Sequence, residues 1–271
     1  MANVRCHVPS MLLLFLAMLL PMQAASAGSR QVTLGETVVA IPVPNGFVEP
    51  QGAIGTQVTA LFAEAAGTVS TNIVVFMARS DESAALAGRR ARMDRYFVFG
   101  APRSLASRTL SSEEFAATRG FVATQAQSLA DDAGPSVQAG LDSATRLMKD
   151  KTGQSDQLKA GYMKELGVVY NRVDSICTLS VTPLTTISGS GQQTSLVAIA
   201  AVLALVRQKV VTFNIYSTYR SPADTKWVKQ QCETWSQKLQ QANPSTSTSS
   251  TSPRSRCSTR RLPRRRWLST T

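Results

Sequence analysis

The chain has 271 residues, with 29 Lys and Arg against 17 Asp and Glu and a single His, a formal charge of +12, and its length suits one large domain or two small ones. The charge excludes little: seven arginines crowd the last eighteen residues and Arg5 lies near the start, which leaves 21 basic against 17 acidic residues, about +4, an ordinary surface value. The histidine excludes more, because it is His7; past the leader no side chain remains for a Ser-His-Asp or Cys-His site, a His-ligated zinc or haem, or imidazole proton transfer near neutral pH.

The opening "MANVRCHVPSMLLLFLAMLLPMQAASAGS" places one cation before an apolar run, Met11 to Leu20, which Pro21 ends ahead of the small residues Ala25, Ser26 and Ala27. That order is a secretory signal peptide with cleavage expected between Ala27 and Gly28. The run is far shorter than the roughly 20 residues a bilayer span needs. No Cys follows it within the leader, where a lipid would attach, and no Arg pair precedes it, which favours the general secretory route. The expected organisation is a signal peptide over 1–27, a single α/β domain over 28–243 and a disordered Arg-rich tail over 244–271. The expected location is the periplasm or the medium.

Residues 31–50 read as two short strands about Gly35-Glu36, with Pro44-Asn45-Gly46 as the next turn. A short helix is predicted over 57–66, ending at Gly67, then a strand over 70–80 from its β-branched residues. Residues 81–92 are polar, a helical turn or loop, and 95–102 form another strand. Ser111 and Glu114 have the spacing of a capping box, and Phe115, Val122, Ala126 and Leu129 continue at helical spacing, which predicts a helix over 112–130. A second helix is predicted over 136–149, after a break at Gly134-Pro135. Residues 166–174 and 175–184 read as strands, and 185–193 as a flexible loop.

The stretch "SLVAIAAVLALVRQKVVTFNIYS" (195–217) decides between a membrane span, a buried helix and a hairpin. Its apolar run, Leu196 to Val206, stops at Arg207 and is too short to span. Beyond Lys209, Val211, Phe213 and Ile215 alternate with Thr212, Asn214 and Tyr216, the period of a strand. A hairpin is the reading, although Arg207-Gln208 lacks the Gly or Asn of a tight turn; a buried helix over 195–206 stays open, since Ala and Leu are helix formers. A last helix is predicted over 222–241, with Val228, Cys232, Trp235 and Leu239 on one face.

Of the cysteines past the leader, Cys177 shares a strand face with Leu179 and Val181, and Cys232 lies on the apolar face of the last helix. A sheet–helix contact would let them form a disulfide, typically worth about 2–4 kcal/mol; buried free thiols are the alternative. Cys257 is left over in the tail. That tail is a polyanion-binding arm, for nucleic acid or an anionic surface, or an extension without selected function. Ser188-Gly-Ser-Gly191 lacks the G-x-x-x-x-G-K-[ST] pattern of a phosphate loop and reads as a connection between strands. Glu113-Glu114 fits a helix start and Asp131-Asp132 a solvated helix end. Trp227 and Trp235 could stack ligands, but Trp235 is on a core face. No catalytic, cofactor-binding or metal residues are assigned.

"IPVPNGFVEP" (41–50), "NIVVFMARS" (72–80) and the segment 206–235, with Tyr216, Tyr219, Ser221, Asp224 and Trp227, resemble secreted proteobacterial members of the PsbP/Mog-type α/β/α sandwich superfamily. The resemblance covers about 28–243 and not the tail. It implies an α+β fold, an antiparallel sheet flanked by helices. Members serve as photosystem accessory subunits, partners of a small GTPase or periplasmic factors implicated in phage uptake, without shared catalytic residues. The expectation is an exported, non-enzymatic domain that binds a protein or an envelope component. Two other readings stay open: a histidine-independent, hydrolase-like enzyme, which needs converging ionisable groups, and polyanion binding by the tail.

Overall fold

In the computed structural model, residues 28–244 are described, except 68, 90, 154 and 155. Ala27, Cys257 and the Arg-rich tail lie outside these residues. Strands β1 (Ser29–Leu34) and β2 (Thr37–Pro42) form a separate hairpin. Then come β3 (Phe47–Val48), α1 (Gly52–Ala66), β4 (Ser70–Ala78), α2 (Arg79–Leu86), β5 (Arg95–Pro102) and α3 (Ser112–Thr152). The chain continues through β6 (Gln157–Ala160), β7 (Lys164–Arg172), β8 (Ser175–Ser188), β9 (Gly191–Val206) and β10 (Lys209–Tyr219) to α4 (Pro222–Ala242).

The main sheet is antiparallel and runs β3-β4-β5-β10-β9-β8-β6, with β7 pairing the other half of the long β8. The fold is α+β, with helices over both faces of the sheet. Residues 195–217 are its two middle strands, β9 and β10, paired from Val206–Lys209 to Leu196–Tyr219. Their connection is the two-residue turn Arg207 (φ 48°) and Gln208 (φ 64°). Both sit in the left-handed region a twisted two-residue hairpin demands. The turn is anchored from outside: Arg207 donates to the Val38 carbonyl at 3.1 Å, and the Gln208 carbonyl accepts from Leu110 N–H at 2.9 Å. Just beyond it, buried Lys209 donates to the Ser107 and Arg108 carbonyls, each at 3.0 Å, so its charge is spread over loop oxygens.

Alternation sorts the sheet into two chemistries. One face carries Phe76, Phe97, Phe99, Phe213, Ile215, Ala198, Ala200 and Val202, all buried, and receives α4 and the β1–β2 hairpin. Trp235 of α4 seats edge-on against Phe213, centroids 4.3 Å apart, and its indole N–H donates to the Pro42 carbonyl at 2.6 Å. Burying such a ring needs that partner. Ser221 and Asp224 form a capping box at the start of α4, with Pro222 opening the helix. The other face is covered by α1 and α3. These helices touch closely at Gly140, where a Cβ would fall 2.0 Å from the Ala65 carbonyl oxygen.

Several expectations are corrected. The two helices predicted over 112–130 and 136–149 form a 41-residue run of two helical segments that meet at a kink at Gln125 (φ −118°, ψ 16°), not at the expected break, since the helix passes through Gly134 and Pro135. Pro135 is exposed, so the helix carbonyl it leaves without a donor can turn to water. Near Gln125 the Thr124 hydroxyl donates back to the Gly120 and Phe121 carbonyls, a contact that bends helices. Asp131-Asp132 therefore lies within α3, not at a helix end. The supposed loop over 185–193 is the continuation of β8 and β9 around a tight turn at Gly189-Ser190. The short helix predicted over 57–66 starts earlier, at Gly52, and the four-residue β6 was not foreseen.

Candidate ligand cavity

On the α1/α3 side the sheet presents small and hydroxylated residues. Cross-strand partners Tyr96 and Tyr216 stack 4.5 Å apart and 12° from parallel, and beside them lie Gly100, Thr212, Asn214 and Thr182. The facing helices contribute Ala65 and Ala66 from α1 and Ala133, Val137 and Leu141 from α3. Such side chains do not fill the gap between two layers, since close packing needs bulk on at least one side. A cavity of about 340 Å³ remains, walled by Phe62, Val98, Val197 and Ile199 among others. Phe62 lies against Tyr96 with centroids 5.4 Å apart.

The lining holds no Asp, Glu, Lys, Arg, Cys or His among the described residues. Among the described lining residues the titratable groups are the two phenols. Burial pushes Tyr216 up to about 12, with a hydrogen bond from Asn214 working against that rise. Burial first, and then the neighbouring Tyr216, push Tyr96 higher still. Both remain O–H donors across the physiological range. Thr212 donates to the Gly100 carbonyl at 3.3 Å and Thr182 to the Gly161 carbonyl at 3.1 Å, so the threonine protons are already committed. The site offers an apolar wall with a few polar groups on its floor, the usual make-up of a small-molecule pocket.

Of the residues that carried the resemblance, Tyr216 lines this cavity; the candidate site residues lie elsewhere. Glu114 closes the capping box of α3: its carboxylate accepts from Ser111 N–H at 2.7 Å and is held below the usual carboxylate range by that bond. Asp131 accepts from the Gln127 amide at 2.7 Å. The Ser188–Gly191 turn borders a shallow polar depression with Asp156. Trp227 packs edge-on against Phe97 and is covered by the Arg95 guanidinium at 4.4 Å, whereas Trp235 is buried, so the two form no common platform. Gly28 accepts a hydrogen bond from Val43 N–H at 3.2 Å. Cys177 and Cys232 do meet: their sulfurs lie 2.11 Å apart at the contact of β8 with α4, across a separation of 55 residues.

Outside the cavity, two ion pairs flank the start of α4. Arg95 meets Asp224 at 3.1 Å and Arg220 meets Asp94 at 2.7 Å. Among the described residues no group of three His, Cys, Asp or Glu side chains is placed to hold a metal ion, and no helix is long and apolar enough to cross a membrane. Tyr216 apart, the cavity residues carried no functional signal in the sequence. The alternation in β10 put Asn214 and Tyr216 on the face opposite Phe213, but nothing local indicated that Tyr96 would sit beside Tyr216.

Neither protein families nor curated proteins return a match to the chain. Among solved structures, a point-mutant form of the protein Mog1 is similar, at 14% identity and a TM-score of 0.32, over 80% of this chain and 93% of that one. A likeness of that size carries no argument about function.

Proposed function

We propose that this chain is an exported, non-catalytic binding domain of the PsbP/Mog type, which holds an apolar part of an envelope component between its sheet and α1/α3. The observation that carries the reading is the uncharged 340 Å³ cavity with its phenol and amide floor. A site of this kind can bind and orient, but among the described lining residues no carboxylate, imidazole or amine stands by as general base for its serine and phenol hydroxyls, and no metal ligand set is present. Export is supported by the leader ending at Ala27 and by the meeting of Cys177 with Cys232, which suits an oxidising compartment. The family reading is supported by the segments 41–50, 72–80 and 206–235.

The test is titration of the processed chain with N-phenyl-1-naphthylamine, a neutral apolar dye that brightens when it leaves water. Saturable one-to-one binding is expected, and Val137→Trp, which fills the cavity from α3, should weaken it at least tenfold while near-ultraviolet circular dichroism stays native. Absence of saturable binding, or full binding by a natively folded Val137→Trp protein, would contradict the proposal. Export predicts that mass spectrometry of the mature protein shows an N-terminus at Gly28; a retained Met1 would oppose it.

A further inference from the structure

The cavity's chemistry narrows its ligand, an inference that rests on the binding reading above. A carboxylate, phosphate or ammonium carried inside would lose its water and find no opposite charge, because no lining residue among those described carries one. An entirely apolar ligand would have the opposite defect, covering the Tyr216 phenol and the Asn214 amide, whose bond to each other uses only part of their hydrogen-bonding capacity. The threonine hydroxyls cannot take over as donors, since Gly100 and Gly161 already receive their protons, and the two serines that also line the space are Ser136, exposed to water, and Ser70, half-buried. The size is also bounded. At about 340 Å³ the space is roughly twice the ~150 Å³ apolar cavity known to take benzene, so it suits a body of about ten carbons.

We propose that the cavity is a site for a neutral amphiphile: an aliphatic or two-ring body ending in one hydroxyl or amide, which meets Tyr216 and Asn214, and that it rejects the same body ending in an ionised group.

The experiment displaces N-phenyl-1-naphthylamine from the processed chain at pH 7.5 with three ten-carbon competitors, 1-decanol, decanoate and decylammonium, each below its aggregation limit. Decanol is expected to displace the dye at a concentration at least tenfold lower than either ion. Tyr216→Phe is expected to weaken decanol about fivefold relative to the dye, whose own affinity is measured separately in the variant, the loss of one hydrogen bond. Equal displacement by an ion and by decanol would overturn the neutral-ligand assignment and leave the cavity reading standing. Unchanged decanol affinity in Tyr216→Phe would overturn the placement of the polar end. Failure of the dye to bind the unmodified chain would remove the binding site itself, and this inference with it.

Discussion

At the turn between β9 and β10, two residues with full side chains occupy backbone space that Gly or Asn ordinarily takes. Arg207 has a contact that explains it, its bond to the Val38 carbonyl; Gln208 contributes its own carbonyl to Leu110 and needs no side chain for that. Gln208→Gly should therefore relieve about 1 kcal/mol of strain and raise the melting temperature by about 2–4 °C. A lower melting temperature in calorimetry would mean that the Gln208 side chain carries weight of its own. Asp224 is a second informative residue. Its carboxylate accepts from Arg220 N–H and from the Arg95 guanidinium, which together hold it below the usual carboxylate range. A depressed native value stabilises the fold above pH ~4, and that contribution is lost as the pH falls through the native value. Asp224→Ala should cost about 1 kcal/mol at pH 7 and approach zero cost near pH 2. Chemical denaturation at both pH values checks this, and an equal cost at both would refute it.

At the scale of elements, three amide side chains finish strands that lack a neighbour. Gln127 accepts from Glu165 N–H at 2.9 Å and donates to the Met163 carbonyl at 3.2 Å, bridging the start of β7. Gln138 repeats the arrangement on β6, with Ala160 N–H at 3.0 Å and the Leu158 carbonyl at 3.1 Å. Each also donates to the Asp one helical turn on, Asp131 and Asp142. The two glutamines stand eleven residues apart, three turns of helix, so one face of α3 presents both. Asn243 does the same for β2, exchanging two bonds with Ala40 at 2.8 and 2.7 Å. Exposed strand edges invite pairing with other chains, and these amides occupy them. Gln127→Ala combined with Gln138→Ala removes four bonds to the strand edges, besides the two exposed bonds to Asp131 and Asp142, and should cost roughly 2–4 kcal/mol, with self-association appearing in sedimentation at high concentration. A monomer of undiminished stability would show that the clamps are incidental. The Cys177–Cys232 contact fastens α4 to the sheet in the same spirit, by a covalent route.

Across the whole molecule, what the sequence made legible was whatever repeats locally. The alternation Val211, Phe213, Ile215 identified β10 and its core face, and Ser111 with Glu114 marked the start of α3. The spacing of Val228, Cys232, Trp235 and Leu239 identified the buried face of α4, where all four are buried. What stayed hidden depends on distant partners. The four residues of β6 have no pattern of their own and are a strand because Gln138 and β8 flank them. Pro135 and Gly134 signalled a break that packing of α3 against α1 and the sheet overrides. The cavity was least legible of all, since it is an absence of bulk shared by α1, α3, β5 and β10, joined through a pairing of Tyr96 with Tyr216 that lies 120 residues apart in sequence. The most direct test of the account is methyl NMR of the processed chain during titration with 1-decanol. Shifts are predicted at Ile73, Val137, Val197 and Ile199, which line the cavity, with Val39 and Ile41 on the α4 side unmoved. Shifts confined to those two, or to no methyl group at all, would contradict it.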